Sequence, residues 1–166
     1  MQVRSAAEAL FIACEMEKRA IRLYERALEV FTDGPCQEAM HAILSDEKRH
    51  LARFTEMGGE APDFERARLL AAQAAEVLFS GGLVEAQRKG AFDSVLRLYQ
   101  YAAEEEKNAA ESYGAFAAQL SGPAAAAFRQ IKTEETGHLQ KLNEMICAFA
   151  GQTADGAENK EKDSIT

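Results

Sequence analysis

Two short stretches of the chain carry a glutamate and a histidine three residues apart, E47-K-R-H50 and E135-T-G-H138. On a helix that spacing puts both side chains on one face. In both cases the face is apolar. Cys36, Met40, Ile43, Glu47, His50, Phe54 and Met57 fall in phase, as do Ala124, Phe128, Ile131, Glu135, His138, Leu142, Met145 and Phe149. A buried charge is costly unless it is paired or coordinates a metal. Two more glutamates share this predicament. Glu17 lies beside Leu10, Ala13, Cys14, Ala20, Ile21, Tyr24 and Leu28, and Glu106 lies in register with Phe92, Val95, Tyr99, Ala102, Ala109, Tyr113, Phe116 and Leu120. None of the four stripes contains a lysine or arginine.

Four carboxylates converging in a core repel one another and desolvate badly. Two divalent cations would offset them, four positive charges against four negative. Oxygen donors with two imidazoles suit iron or manganese, and the lack of sulfur donors argues against a structural zinc site. The expected metal set is therefore Glu17, Glu47, His50, Glu106, Glu135 and His138. Ala13, Ala20, Ala102 and Ala109 flank the lone glutamates by a helical turn and leave room for metal and a small oxidant. Tyr24 and Tyr113 are candidates to orient the carboxylates by hydrogen bonds, or are core aromatics with satisfied hydroxyls. Asp46 and Glu134, one residue ahead of each pair, are expected to point away into solvent. Glu104 and Glu105 read as surface charge, although a slip of one residue would make Glu105 the ligand instead of Glu106. His41 lies off the stripe, as an ordinary, partly exposed histidine. A single E-x-x-H would be an unremarkable surface pair. Two of them, each in phase with an apolar stripe and each preceded by a glutamate-bearing helix, are a different matter.

Those side chains need long helices to position them. The periodicity predicts a first helix from about Ser5 to Phe31, broken by T-D-G-P, and a second from Pro35 to the G58-G59 stop. A connection over about residues 60–90 contains a helical piece, A61 to F79, and an S-G-G break. A third long helix follows, then S121-G-P, then a fourth. Beyond Gly151 the residues are small, polar and charged, which predicts a disordered tail over 151–166 after a domain spanning 1–150. The halves also match each other. A13-C-E-M-E17-K-R-A20-I-R-L-Y24 aligns with A102-A-E-E-E106-K-N-A109-A-E-S-Y113 at an offset of 89, and E47-K-R-H50 with E135-T-G-H138 at an offset of 88. The chain is an internally duplicated helical hairpin. Two short turns around one long connection predict an all-α four-helix bundle with one long crossover, the alternative being an irregular helical array.

Composition narrows the field further. The 166 residues are 47% hydrophobic with three prolines and no tryptophan, and no long uncharged apolar run suggests a membrane span. A net charge of −8 disfavours nucleic acid or an anionic membrane surface as partner. Cys14, Cys36 and Cys147 include no C-x-x-C pair, so they read as small core residues in a reducing, cytoplasmic setting. L10-F-I-A-C14 is close to a lipoprotein processing site, but Glu8 interrupts the apolar region and only Arg4 lies upstream, so no processing is expected. The apolar strip L69-L-A-A-Q-A-A-E-V-L-F79 makes a homodimer plausible.

The paired E-x-x-H motifs, together with E-K-x-A-x-x-x-Y at Glu17–Tyr24 and Glu106–Tyr113, make residues 5–150 resemble the ferritin-like di-iron carboxylate superfamily, and within it the rubrerythrin-type proteins. The resemblance implies a ferritin-like bundle, two iron ions (or manganese), and reduction of hydrogen peroxide or dioxygen with electrons from a separate donor protein. The alternative it implies is a ferroxidase or iron-storage protein. Two departures stand out. No rubredoxin-like segment with C-x-x-C pairs is present, and Ala109 stands where many rubrerythrins carry a further glutamate, three positions after the third-helix ligand. A third reading, a metal-free scaffold with its glutamates paired to Lys or Arg, meets the absence of any such partner on the stripes.

Overall fold

The computed structural model describes residues 2–32, 34–58, 63–77 and 82–162, with backbone alone at positions 64, 77 and 151–162. Among these residues the secondary structure is entirely helical: α1 (Ala6–Val30), α2 (Gly34–Met57), α3 (Phe64–Val77), α4 (Gly82–Arg88), α5 (Val95–Gln119) and α6 (Gly122–Lys162). The chain is an all-α helical bundle. None of its described helices is long and apolar enough to cross a membrane.

Local chemistry sets the ends of the helices. Ser5 caps α1, its hydroxyl accepting from the Glu8 backbone N–H, while the Glu8 carboxylate accepts from the Arg4 N–H. Ser94 caps α5 in the same way through the Arg97 N–H. That cap starts the helix at Val95, so Phe92, expected in register with α5, is instead buried in the turn before it. Gly90 ends α4. Its N–H bonds to Gln87 C=O, the Ala91 N–H bonds to Ala86 C=O, and φ is +75°, which a side chain would strain. The turn then feeds directly into α5.

The duplicated halves are α1 with α2 and α5 with α6, each pair packed along its length, while α3 lies against α1. Arg66 fastens this crossover by giving Nε–H to Glu8 Oε1 at 2.7 Å, the same carboxylate that helps cap α1. The connection is thus two helices. Leu70 and Ala74 face the core and Leu69 is half exposed; Leu78 and Phe79, which end the strip read as a dimer surface, lie outside the described residues, as does Gly59 of the G58-G59 stop. The α6 backbone helix continues past Gly151 to Lys162, and the side chains of the expected tail lie outside the described residues. Leu10, Ile12 and Ala13 of the L-F-I-A-C stretch are core residues of α1. Cys36 is buried, Cys14 half-buried and Cys147 exposed. Cys147 corrects the core reading: it sits on the outer side of α6, beside Asn143 and Glu144.

One aromatic cluster ties three helices together. Phe128 (α6) packs 5.0 Å from Phe54 (α2), 5.3 Å from Phe116 (α5) and 5.8 Å from Tyr113 (α5), ring centre to ring centre. All four are fully buried. Phe128→Ala should cost about 3–5 kcal/mol, as a large aromatic removed from a packed core does. Denaturant unfolding checks this, and a loss below about 1 kcal/mol would mean the cluster collapses freely around the gap.

Candidate metal centre

α1, α2, α5 and α6 each turn acidic groups into the same interior. Glu17, Glu47, His50, Glu106, Glu135 and His138 are all buried there. They form two sets of four: Glu17, Glu47, His50 and Glu135 in one, and Glu47, Glu106, Glu135 and His138 in the other. Within each set the potential ligand atoms lie within 4.8 Å of one another. Glu47 and Glu135 belong to both. The structure therefore brings all six expected residues together, with one glutamate of each E-x-x-H helix placed between two subsites.

Both imidazoles present Nδ1 inward. His50 Nδ1 is 3.0 Å from Glu135 Oε1, 3.9 Å from Glu17 Oε1 and 4.0 Å from Glu47 Oε2. His138 Nδ1 is 3.1 Å from Glu135 Oε2, 3.4 Å from Glu47 Oε1 and 3.5 Å from Glu106 Oε2. The rings lie 6.2 Å apart. Close approach does not satisfy these atoms: Glu47 Oε1, His50 Nδ1 and Glu135 Oε1 are buried with no well-directed hydrogen bond. Unsatisfied buried polar atoms are rare and call for an explanation. Among the described residues no Lys or Arg forms an ion pair with any of the four glutamates, which removes the scaffold explanation for these atoms. Cations held between the two sets would satisfy them, so this buried cluster can hold metal.

The electrostatics agree. Burial pushes the Glu17 carboxyl well above its usual range, and the nearby Glu47 and Glu135 add to the shift. Glu106 moves up for the same reasons, burial first and then Glu47. Burial would also raise Glu135, but the hydrogen bond from His138 and the adjacent His50 imidazole outweigh it and hold that carboxyl low. Burial would lower both histidines, yet the surrounding carboxylates win and raise them. Unmetallated, the pocket retains protons to limit its own repulsion.

The tyrosines cross over between halves. Tyr24 of α1 donates to Glu106 Oε1 of α5, and Tyr113 of α5 donates to Glu17 Oε1 of α1 at 2.5 Å. Burial, then the adjacent Glu106 or Glu17, pushes both phenols well above their ordinary range, so both remain protonated donors. Both tyrosines are fully buried with their hydroxyls satisfied, so each is at once a core aromatic and a hydrogen-bond donor to a carboxylate of the cluster.

Two expectations are corrected. Asp46 and Glu134 do not simply face solvent. His50 Nε2 lies 2.9 Å from Glu134 Oε2, and His138 Nε2 lies 3.1 Å from Asp46 Oδ2. Each acid leaves its own helix's stripe, as its position dictates, but α2 and α6 are close enough that it meets the other helix's histidine. A carboxylate on Nε2–H fixes the tautomer that leaves Nδ1 free for a metal. Arg49 and Gln130, which the sequence reading passed over, complete the network: Arg49 reaches both Asp46 and Glu134, and Gln130 donates to Glu134 Oε1 at 3.0 Å. The available signal was an acid immediately before the glutamate in both halves, D46-E47-K-R-H50 and E134-E135-T-G-H138. Glu105 is the second correction. It is buried beside Tyr101 and Arg19 instead of lying on the surface, and the cluster contains Glu106, so the one-residue slip does not occur. Glu104 and His41 are exposed, as expected.

No family model, curated protein or solved structure matches this chain. Its chemistry is accordingly to be sought in two buried Glu/His sets that share Glu47 and Glu135, each braced by a tyrosine on one side and a carboxylate on the other.

Proposed function

We propose that the chain is a ferritin-like four-helix bundle with one long crossover, holding two iron ions, and that it reduces hydrogen peroxide, or dioxygen, with electrons from a separate donor. The carrying observation is the pair of ligand sets sharing Glu47 and Glu135, because one shared carboxylate from each E-x-x-H helix suits two adjacent cations. Glu17 and His50 would complete one subsite, Glu106 and His138 the other. Carboxylate and imidazole donors without sulfur favour iron, with manganese as the nearest substitute.

Two ferrous ions held there would supply the two electrons that, with two protons, convert hydrogen peroxide into two waters. The protein supplies position and dryness. Ala13, Ala20, Ala102 and Ala109, all buried, put only small apolar side chains a helical turn from the lone glutamates. Tyr24 and Tyr113 hold Glu106 and Glu17 in fixed orientations and keep their own protons, leaving hydroxyl hydrogen bonds at the edge of the cluster. Asp46 and Glu134 hold the imidazoles from behind.

Stopped-flow oxidation of protein loaded with two ferrous ions tests the reaction. Hydrogen peroxide should oxidise it much faster than dioxygen, because peroxide needs only the two electrons that two ferrous ions would supply, whereas dioxygen needs four to reach water. Faster reaction with dioxygen would make the protein an oxidase. Repeated turnover of added ferrous iron, with hundreds of irons retained per assembly, would make it an iron-storage protein.

A further inference from the structure

The duplication is broken at one informative position. At the offset of 88 that equates the two E-x-x-H motifs, Arg49 corresponds to Gly137. The structure shows what the single arginine does. Its Nη1 lies 2.6 Å from Asp46 Oδ1, and its Nη2 donates to Glu134 Oε2. One guanidinium, 57% exposed, thus ties together the two carboxylates that hold the two histidines, whose side chains are only 1% and 10% exposed. A Cβ added at Gly137 would meet nothing within 4 Å, so no neighbour bars a side chain from starting there.

The grip is not symmetric. At Asp46 the two donors take different oxygens: Arg49 binds Oδ1 and His138 binds Oδ2. At Glu134 Arg49 and His50 share Oε2, while Gln130 occupies Oε1. Each donor draws on the charge its acceptor can offer, and a cationic donor draws most. His138 therefore faces the stronger acceptor, and a stronger acceptor on Nε2–H makes Nδ1 the better metal donor. Solvent works the other way, since Asp46 is 34% exposed and Glu134 25%. That difference is small beside a shared oxygen and an extra amide.

We propose that Arg49 is a positioning residue that braces both imidazoles from the bundle surface and makes the two metal subsites unequal, the Glu106/His138 subsite binding more tightly than the Glu17/His50 subsite. The proposal rests on the two-metal reading above, but not on the reaction. It explains why an exposed arginine sits within a run of otherwise duplicated site chemistry.

Zinc, a diamagnetic probe, gives the test. Full-length protein with 15N-labelled histidine is stripped of metal and titrated with Zn²⁺, following the ring nitrogens of His50 and His138 by NMR and affinity by calorimetry. Wild type should load in two unequal steps, His138 first. Arg49→Gln should bring the two steps closer together, mainly by tightening the His50 step, because Glu134 Oε2 is then left to His50 alone, and should shift the Nε2–H signals even without zinc. Moving the guanidinium to the other half, Arg49→Gly with Gly137→Arg, should reverse the loading order. That readout would not respond to mere loosening of the fold. Unchanged affinity in Arg49→Gln, or an unchanged order in the swapped variant, would overturn the proposal; if the swap does not fold, Arg49→Gln decides alone. Wild type that takes up no zinc would instead bring down the two-metal reading, a failure distinguishable from wild type that loads normally beside an indifferent Arg49→Gln.

Discussion

Glu47→Ala or Glu135→Ala is expected to remove both metal ions at once, whereas Glu17→Ala or Glu106→Ala should remove only one. The difference follows from membership: Glu47 and Glu135 belong to both ligand sets, Glu17 only to the set with His50, and Glu106 only to the set with His138. A partner behind a ligand is worth about ten- to hundredfold in affinity, so losing a carboxylate shared by both subsites should exceed that at each of them. Metal content per chain after anaerobic loading with ferrous iron gives the answer, with wild type close to two. Glutamine offers a control, because it keeps the shape of the side chain while removing its charge. If Glu17→Ala and Glu47→Ala lose the same amount of metal, the shared-ligand arrangement is wrong. Should neither lose any, the metal lies elsewhere or does not bind.

The residues that carry this expectation were legible in the sequence because burial imposes periodicity. An in-phase Glu or His on an apolar stripe is visible at steps of three and four, and repetition at offsets of 88 and 89 removed most of the coincidence. The cross-bundle partners were not legible in the same way. Asp46 and Glu134 sit one residue off their stripe, a position that on a single helix means solvent. Only the approach of α2 to α6 turns that direction toward the opposite histidine, and no single-helix pattern encodes the approach. Glu105 misled for the complementary reason: its position beside Glu104 and Glu106 suggested a surface run, but Arg19 and Tyr101 are close enough to accept it in a buried site. The start of α5 shifted because a serine cap, three residues past the apolar Ala91, outranked the apolar register of Phe92.

Removing metal should also change how stability depends on pH. Glu17 and Glu106 have carboxyls raised by burial and by neighbouring carboxylates, so their protonated forms favour the folded state. That contribution is complete below the unfolded value of about 4.3 and is lost as pH rises through the raised folded values. His50 and His138, raised by the surrounding carboxylates against the effect of burial, act in the same direction: their contribution is complete below about 6.5 and is lost as pH climbs through their folded values. Glu135, Glu134 and Asp46 oppose them only in acid. Hydrogen bonds from the histidines, and from Arg49 at the latter two, outweigh burial and depress these carboxyls, Glu134 to about 2, so their stabilisation is present above about pH 4 and fades below it. Metal-free protein should therefore be most stable near about pH 5 and lose Tm steadily toward about pH 8. Loaded protein should follow the opposite course over that interval, because its ligands must be deprotonated to bind and affinity grows as protons leave. At free metal a hundredfold above Kd, each site adds about 2.7 kcal/mol, so the two melting curves should diverge visibly as pH rises. Thermal scans of both forms across this range decide the matter: parallel curves would mean that the buried carboxyls and imidazoles do not exchange protons for metal.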